Sequence, residues 1–420
     1  MVITMAVFKP FAAVRPLPEY ADKVAALPYD VMSSAEARKM AQGNPYSFLH
    51  VDKAEIDLAP SIDPYDSRVY AKARENLEKL VTDGICKQDA KPCFYIYRQI
   101  MEGRAQTGLV GCASIDDYRN NVIKKHEFTR ADKEADRIRH VDTCDANTGP
   151  IFLTCRPQAN LHTILDDWKA AHAPVYDFAQ DGVQQTVWVV DDDAVIAALS
   201  QAIAEIEALY IADGHHRAAS AVRVGEMRRE AKPGYTGEEE FNFFLSVLFA
   251  SDELAIMDYN RVVKDLNGYS EEEFLEKIEE KFEVAVYEGK GVFHPEKSHT
   301  FGLYLGGKWY CLRAKAGTFP EGDPVASLDV SILQENLLGP VLGIGDPRTD
   351  QRIDFVGGIR GLGELERRAN SDMLLAFSLC PTTLEELMAI ADAGKVMPPK
   401  STWFEPKLRS GLFIHLLSKR

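Results

Sequence analysis

The chain has 420 residues, of which 46% are hydrophobic and 27% charged, and its formal net charge is −16. The length exceeds that of one small core and predicts two or three domains, and the composition is ordinary for a globular protein. The acidic charge argues against a nucleic-acid-binding surface, because such a surface needs a clustered basic face.

The seven cysteines form no Cys-x-x-Cys pair. They therefore predict a reducing compartment, with neither a disulfide framework nor a cysteine-based zinc site. The first ten residues lack the basic and then apolar layout of a signal peptide, and no apolar run approaches the roughly twenty residues of a membrane span. We expect a cytoplasmic protein that does not bind a membrane.

The first predicted region, residues 1–105, mixes helical and strand patterns. A helix is predicted from Asp66 to Asp83, with Asp66 as its N-cap and Gly84 at its end. Strand-like runs follow at 93–97 and 108–115. The short polar link between these two runs predicts a hairpin.

The second predicted region, residues 106–232, alternates strands and helices. In the run 122–129 an apolar strand passes into a charged loop, which leads to a charged helix at 130–141 that Thr129 would cap. The elements expected after it are a strand at 151–153, a helix at 161–171, a strand at 186–190 and a helix at 194–206. The segment 231–240 is rich in Gly and Glu and reads as a linker, so it predicts a domain boundary.

The third predicted region, residues 233–420, has strand patterns at 241–249, 283–286, 301–305 and 309–313. Its helical patterns lie at 271–281, 325–337, 361–369 and 383–393. There is no internal repeat. The elements together predict a mixed α/β protein of the α+β class, in which the middle region is flanked by additional N- and C-terminal α/β regions.

The most informative segment is 208–221, which reads Ala-Leu-Tyr-Ile-Ala-Asp-Gly-His-His-Arg-Ala-Ala-Ser-Ala. An apolar strand ends at Asp213 and turns through Gly214 into an alanine-rich helix. Such a turn places free backbone N–H groups and the positive end of the helix dipole at one point. His215, His216 and Arg217 add donors for the same anion. The segment therefore predicts a phosphate site, most simply for a nucleotide.

The Asp213–Arg217 motif resembles the nucleotide-binding turn of the ParB/sulfiredoxin superfamily and, in its Asp-Gly-His-His-Arg form, that of the free serine kinases. The resemblance implies a ParB-like nucleotide-binding core in which a Gly-x-x-Arg turn holds nucleotide phosphates. A strand, a Glu-containing loop and a charged helix precede the motif in the same order as in that superfamily. One departure is the roughly fifty additional residues between Leu153 and the motif strand.

Over nearly its whole length the chain is identified as a member of a bacterial and archaeal family of unknown function. The signatures that carry this likeness are Pro28–Val31, Lys125–Thr129 with Lys133, Asp136 and Arg137, the Asp213–Arg217 motif, and Met397–Lys407.

The resemblance to the serine kinases implies that Glu127 is the general base, because those enzymes carry a catalytic Glu in the corresponding loop. Asp213 is open to two interpretations: a turn or cap residue, or a catalytic residue that binds Mg²⁺ or receives the substrate proton. His216 is a further catalytic candidate. The expected nucleotide-binding set is Gly214, His215, Arg217, Lys125, His126, Thr129, Lys133 and Arg137.

Other interpretations of the same residues stay open. Lys133, Asp136 and Arg137 have helical spacing and are equally typical of a surface ion-pair face. His126, His215 and His216 suggest a zinc site, although they lack a helical His-x-x-x-His pattern and a fourth ligand.

We expect an enzyme: a phosphotransferase that uses ADP or ATP with Mg²⁺ to phosphorylate a small hydroxyl metabolite, with free serine first. The alternatives are a regulatory nucleotide-binding protein without catalysis, and a phosphatase of a metabolite such as phosphoserine that uses His215 or His216. The expected partners are small molecules, and the sequence is compatible with a homo-oligomer.

Overall fold

The computed structural model describes residues 5–418. The strands are β1 (Phe8–Lys9), β2 (Val14–Pro16), β3 (Cys86–Gln88), β4 (Phe94–Met101), β5 (Arg104–Ser114), β6 (Ile123–Lys124), β7 (Ala146–Asn147), β8 (Ile151–Cys155), β9 (Tyr176–Gln180), β10 (Val183–Val190), β11 (Leu209–Asp213), β12 (Phe243–Ala250), β13 (Ile256–Met257), β14 (Tyr259–Val263), β15 (Phe282–Val286), β16 (Thr300–Leu305), β17 (Lys308–Ala314), β18 (Ile353–Gly357), β19 (Leu375–Leu379), β20 (Trp403–Phe404) and β21 (His415–Leu416).

The α-helices are α1 (Ala21–Val24), α2 (Ser34–Met40), α3 (Leu49–Asp52), α4 (Ser67–Thr82), α5 (Ile115–Arg119), α6 (Ala131–Cys144), α7 (Ala159–Ala171), α8 (Asp193–Ala204), α9 (His215–Ala231), α10 (Glu271–Ile278), α11 (Asp329–Leu333), α12 (Gly363–Ala369) and α13 (Leu384–Asp392). Short 3-10 helices lie at Pro18–Tyr20, Tyr29–Val31, Ala54–Asp57, Glu240–Asn242, Ser251–Glu253 and Gly358–Arg360, and a π-helix at Gln334–Leu338.

The described chain divides into two compact units. The first comprises the residues up to Leu254 together with the segment from Pro406 onward, and the second comprises Ala255–Glu405. This division differs from the three regions expected at 1–105, 106–232 and 233–420. The polar segment 231–240 lies inside the first unit, because the strand that follows it, β12, pairs with β5 and β8 in the middle of the first sheet.

The first unit is built on a nine-stranded sheet with the order β6-β11-β8-β12-β5-β4-β10-β9, and β1 pairs with β5. The pairs β6–β11 and β8–β12 are parallel and the others are antiparallel. The expected hairpin is present as β4–β5. The mixed α/β class predicted from the sequence is therefore confirmed.

The two faces of this sheet differ in chemistry. One face carries apolar side chains such as Ile96, Leu109 and Leu153, which form one core cluster with Leu165 of α7 and Ile203 of α8. Because side chains alternate along a strand, the other face carries a different set.

We call Gln99, Gln106 and Gln185 on that second face the glutamine layer. They lie directly opposite one another across β5, β4 and β10, and each is at most 1% exposed. Residues 406–414, which we call the C-terminal strap, are in contact with this layer: the side-chain amides of Gln99 and Gln106 donate to the carbonyls of Lys407 and Pro406. The glutamine layer therefore lies buried beneath the chain's C-terminal segment.

A second core in the first unit is formed by helices before β4. Along α4 the buried side chains recur at helical spacing, and Asp66 caps the helix through the backbone N–H of Arg68. The buried side chains of α4 pack with Ile414 and Leu416 near the end of the chain. The helix predicted from Asp66 to Asp83 is thus confirmed.

The second unit contains a six-stranded antiparallel sheet with the order β15-β17-β16-β19-β14-β18. Helix α12 buries Leu365 and Ala369 in a cluster with Val262 and Ala376 of this sheet. The helix predicted at 325–337 begins only at Asp329, because Asp323 accepts from the N–H groups of Val325 and Ala326 and holds the preceding residues in a turn.

A membrane span needs about twenty apolar residues in a helix. Helix α9, with 17 residues, is the longest described. Within residues 5–418, no helix combines the length and the apolar character needed to cross a membrane.

Candidate functional site

The site centres on the turn between β11 and α9. Strand β11 is buried up to its last residue, Asp213, and α9 begins at His215, as predicted from the apolar run and the glycine. Gly214 between them has φ +91°, a left-handed conformation that favours glycine. The helix has no side-chain N-cap. Its first N–H groups are therefore left to an external acceptor, as in a phosphate-binding helix terminus.

The guanidinium of Arg217 is folded back over this turn. A Cβ on Gly214 would lie 3.1 Å from Arg217 Cζ, and Nη1 donates to the carbonyl of Pro150. Nη2 lies 4.0 Å from Asp30 Oδ2, whereas Nε is buried without a hydrogen-bond partner among the described residues. Burial alone would lower the pKa of Arg217. Nearby acidic groups, chiefly the carboxylates of Asp30 and Asp213, together outweigh burial and raise the pKa above its ordinary value, so the side chain is a permanent cation at the helix N-terminus.

Asp213 connects the turn to the C-terminal strap. Its Oδ1 accepts from the Gly214 N–H at 2.8 Å, and its Oδ2 lies 3.1 Å from Lys407 Nζ. Burial alone would raise the pKa of this carboxyl, but Lys407 and Arg217 hold it below its ordinary value. The turn thus gathers two cations, Lys407 and Arg217, around one ionised carboxylate.

His126 and His215 form a buried pair at the start of α9. Their ring centroids are 4.5 Å apart with the planes nearly perpendicular, and the two residues are at most 5% exposed. Burial lowers the pKa of His215 to about 4 and that of His126 to about 3. Both rings are therefore neutral at physiological pH, so neither His126 nor His215 adds positive charge beside the turn.

Glu127 lies beside this pair. Its Oε2 is 3.7 Å from His215 Nδ1, and its side chain is 38% exposed. The carboxylate therefore lies beside the start of α9 and remains accessible from solvent. The next residue, Phe128, is 82% exposed.

His216 points to the loop that carries Glu127. Its Nε2 accepts the backbone N–H of Arg130 at 3.1 Å, and burial lowers its pKa. The geometry makes His216 an anchor of this loop. Thr129 does not cap the following helix, because α6 begins one residue later than expected, with Arg130 at the cap position, and the Thr129 hydroxyl donates to Glu134.

The other cations predicted for the site have different neighbours. Lys133 Nζ donates to Tyr65 Oη at 2.9 Å, and the Lys125 ammonium lies 4.2 Å from the ring centroid of Tyr118. Lys125 is nevertheless close enough to contribute to the low pKa of His215. Lys133 therefore has Tyr65 as its neighbour, and Lys125 has Tyr118.

Arg137 binds Asp136 through Nε at 2.9 Å and lies over the ring of Tyr29, 4.0 Å from its centroid. Tyr70 donates to the other oxygen of Asp136. Burial raises the pKa of Tyr29. This buried cluster is more extensive than the surface ion-pair face that the helical spacing allowed.

Sequence reasoning assigned no role to Asp30 or Lys407, although both lie in segments that the family likeness had marked. The structure brings Asp30 to Arg217 and Lys407 to Asp213. Lys400, from the same signature as Lys407, belongs to the second unit, where its carbonyl accepts from Arg261. The signature Met397–Lys407 is therefore divided between the two units, and its part in the first unit begins at Pro406.

The zinc alternative has no geometric support. Among residues 5–418 no group of three or more His, Cys, Asp or Glu side chains could hold a metal ion. The two oxygens of Asp213 already accept from Lys407 and from the Gly214 N–H. The described residues consequently do not form a dedicated Mg²⁺ site, and a Mg²⁺ ion would have to be held mainly by the phosphates of a bound nucleotide.

No protein of curated function matches the chain. Among solved structures it is similar to a mutant free serine kinase in complex with AMP, with 15% identity, 76% of this chain and 92% of that chain covered, and a TM-score of 0.37. It is also similar to a mutant free serine kinase in complex with ADP (16% identity, 75% and 95% covered, TM-score 0.36).

A conserved hypothetical protein from Pyrococcus furiosus is similar as well (15% identity, 76% and 98% covered, TM-score 0.35). At TM-scores this low, structural likeness carries no functional argument, and function has to be argued from the site. The family model of a protein of unknown function (DUF1015) matches residues 8–331, which is more than three quarters of the sequence. The chain therefore belongs to the DUF1015 family.

Proposed function

We propose that this chain is a nucleotide-dependent phosphotransferase that moves the terminal phosphoryl group of ADP or ATP to the hydroxyl of a small metabolite. The observation that carries the proposal is the approach of Glu127 to the phosphate turn, with Oε2 3.7 Å from His215 Nδ1. An anion site and a carboxylate that can accept a proton thereby lie in one small region. The resemblance of the Asp213–Arg217 motif to the free serine kinases makes L-serine the first acceptor to test.

In this proposal the terminal phosphate binds at the N-terminus of α9. The free backbone N–H groups, Arg217 and Lys407 supply positive charge, and Asp213 positions Lys407. Phosphoryl transfer depends mainly on positioning and on stabilising charge on the moving group, and these residues provide both. We assign Asp213 this positioning role and not that of a metal ligand.

The chemical step involves one bond formed and one broken. The substrate hydroxyl oxygen bonds to the terminal phosphorus, the bond from that phosphorus to the leaving nucleotide oxygen breaks, and the hydroxyl proton passes to Glu127. Mg²⁺ bound with the nucleotide would neutralise phosphate charge. His216 accepts a hydrogen bond from the Arg130 N–H and so anchors the loop that carries Glu127. This contact helps to keep Glu127 in position.

The test is phosphoserine formation from L-serine with ADP or ATP, wild type against Glu127→Gln. Glutamine keeps the shape but cannot take the proton, so turnover should fall roughly 10²–10⁴-fold while nucleotide affinity stays nearly constant. Asp132→Asn is the matched control, since Asp132 is an exposed acid near the start of α6 that pairs with Arg130. It should leave turnover within about twofold.

Three results would redirect the proposal. Nucleotide binding without any phosphorylated product across a panel of hydroxyl metabolites would indicate a regulatory protein. Release of phosphate from phosphoserine without a nucleotide would indicate a phosphatase. Equal turnover in the wild type and Glu127→Gln would remove Glu127 as the base.

A further inference from the structure

The glutamine layer forms a continuous buried hydrogen-bond network. Tyr97 Oη donates to Gln185 Oε1 at 2.5 Å, and Gln99 Nε2 donates to the same oxygen at 3.1 Å. Gln106 Nε2 donates in turn to Gln99 Oε1 at 3.0 Å. The Nε2 of Gln185 is buried and has no hydrogen-bond partner among residues 5–418. One amide donor of this network is therefore unused.

Arg409 of the C-terminal strap lies against the same network. Its backbone N–H donates to Tyr97 Oη at 3.4 Å, and the residue is only 2% exposed. Its Nη2 donates to the Gln180 carbonyl at 3.3 Å and to Asp181 Oδ2 at 2.9 Å. Nε and Nη1 are buried and lack a partner within the described chain.

A purely structural role for Arg409, as the partner of Asp181, does not account for its unused donor atoms. Asp181 is 57% exposed and accepts only from Nη2, so among residues 5–418 the ion pair leaves two buried guanidinium nitrogens, Nε and Nη1, without an acceptor. Buried donors without partners cost free energy, and native proteins rarely keep several of them together. The unused atoms of Arg409 and Gln185 are all donors, and they outnumber the unused acceptor Oε1 of Gln180, whose backbone carbonyl accepts from Arg409. Their common complement is an anionic acceptor.

We infer that Arg409 and Gln185 bind the carboxylate of a small organic acid. A planar carboxylate matches a guanidinium bidentately, and the Gln185 amide supplies a further donor. Together with the proposed function, on which this identification rests, the acceptor becomes a hydroxy acid: its carboxylate at Arg409 and its hydroxyl toward the phosphate turn.

The strap provides the spacing. Lys407, which pairs with Asp213 at the turn, precedes Arg409 by two residues, so their Cα atoms are at most about 7 Å apart. The backbone carbonyl of Lys407 accepts from Gln99 of the glutamine layer, and the backbone N–H of Arg409 donates to Tyr97, which is hydrogen-bonded to Gln185 of that layer. In this proposal the acceptor lies along the strap, with its hydroxyl toward Lys407 and its carboxylate toward Arg409.

The experiment measures ligand binding to the full chain without nucleotide, by calorimetric titration and by the shift in melting temperature. The probes are L-serine, 3-hydroxypropanoate, which lacks the amino group, and ethanolamine, which lacks the carboxylate. The first two should bind and ethanolamine should not. Arg409→Gln should weaken serine binding at least tenfold.

Two further variants keep the result interpretable. Arg409→Lys retains the charge opposite Asp181 but loses the guanidinium fork, so it should also weaken serine binding about tenfold even if Arg409→Gln fails to fold. Asp181→Asn removes the ion pair and leaves the proposed donors in place, so serine binding should stay within about twofold.

Binding of ethanolamine as tight as that of serine, unchanged serine binding in Arg409→Lys, or no binding of any probe would overturn the inference. Carboxylate-dependent binding without phosphorylated product would leave the inference standing and remove the proposed kinase activity. Equal phosphorylation of serine and ethanolamine, with KM for serine unchanged in Arg409→Lys, would leave the kinase activity standing and remove the carboxylate site at Arg409.

Discussion

Gly214→Ala tests the geometry of the Asp213–Arg217 turn most directly. Gly214 combines a left-handed backbone, φ +91°, with a close neighbour: a Cβ there would lie 3.1 Å from Cζ and 3.2 Å from Nε of Arg217, too near for the guanidinium to keep its position. Alanine must therefore adopt an unfavourable conformation and displace the guanidinium. Gly234→Ala is the matched control, because Gly234 has φ +83° and no atom within 4 Å of the new Cβ.

The expected magnitudes follow from these two contributions. A non-glycine residue in the left-handed region costs about 1–2 kcal/mol, which is the whole effect expected for Gly234→Ala. Gly214→Ala should lose in addition the charged hydrogen bond from Arg217 to the Pro150 carbonyl, worth about 2 kcal/mol. The total for Gly214→Ala is then about 3–4 kcal/mol.

The free energy of opening can be measured by native-state hydrogen exchange of the buried amides of β11, which reports on the first unit alone. The difference between the two variants should be about 2 kcal/mol, and phosphate or nucleotide affinity should fall only in Gly214→Ala. If both variants lose the same free energy, Arg217 does not pack over Gly214 and the account of this turn is wrong.

Two further outcomes are expected. Arg217→Ala should weaken nucleotide binding by about 2 kcal/mol, measured by titration, whereas Arg223→Ala, which removes an exposed arginine of the same helix, should not; an equal loss in both would assign the effect to general charge. Burial lowers the pKa of His215 to about 4 from an ordinary value of 6.5, so the unfolded chain binds a proton first as the pH falls. The stability contributed by the neutral ring is therefore full above pH 6.5 and declines toward the folded pKa, by about 2 kcal/mol at pH 5. His215→Asn should flatten the acid limb of a stability–pH curve, and a curve identical to that of the wild type would refute the burial argument.

The turn at Gly214 could be predicted from the sequence because its causes are local. A buried strand needs an apolar run, a left-handed residue favours glycine, and the helix after it follows from residues of high helix propensity. The same holds for α4, whose cap at Asp66 and apolar spacing are both visible within about twenty residues.

The approach of Glu127 to the turn was anticipated only through the family resemblance. Its physical basis is the parallel pairing of β6 with β11, which brings the loop after one strand next to the end of the other. The neutral state of His126 was not anticipated, because a pKa depends on burial by distant segments that the local sequence does not reveal.

The division into units and the full composition of the site were decided by tertiary structure. Segment 231–240 has the composition of a linker, yet β12 after it enters the centre of the first sheet, and the strap returns to that sheet after the whole second unit. Lys407 consequently meets Asp213 across 194 residues of sequence, and Arg217 approaches Asp30 across most of the first unit. Periodicity and composition specify which residues are buried and where the backbone turns. Which distant segments pair depends on the strand edges and apolar faces that remain open as the chain packs, and this only the folded structure determines.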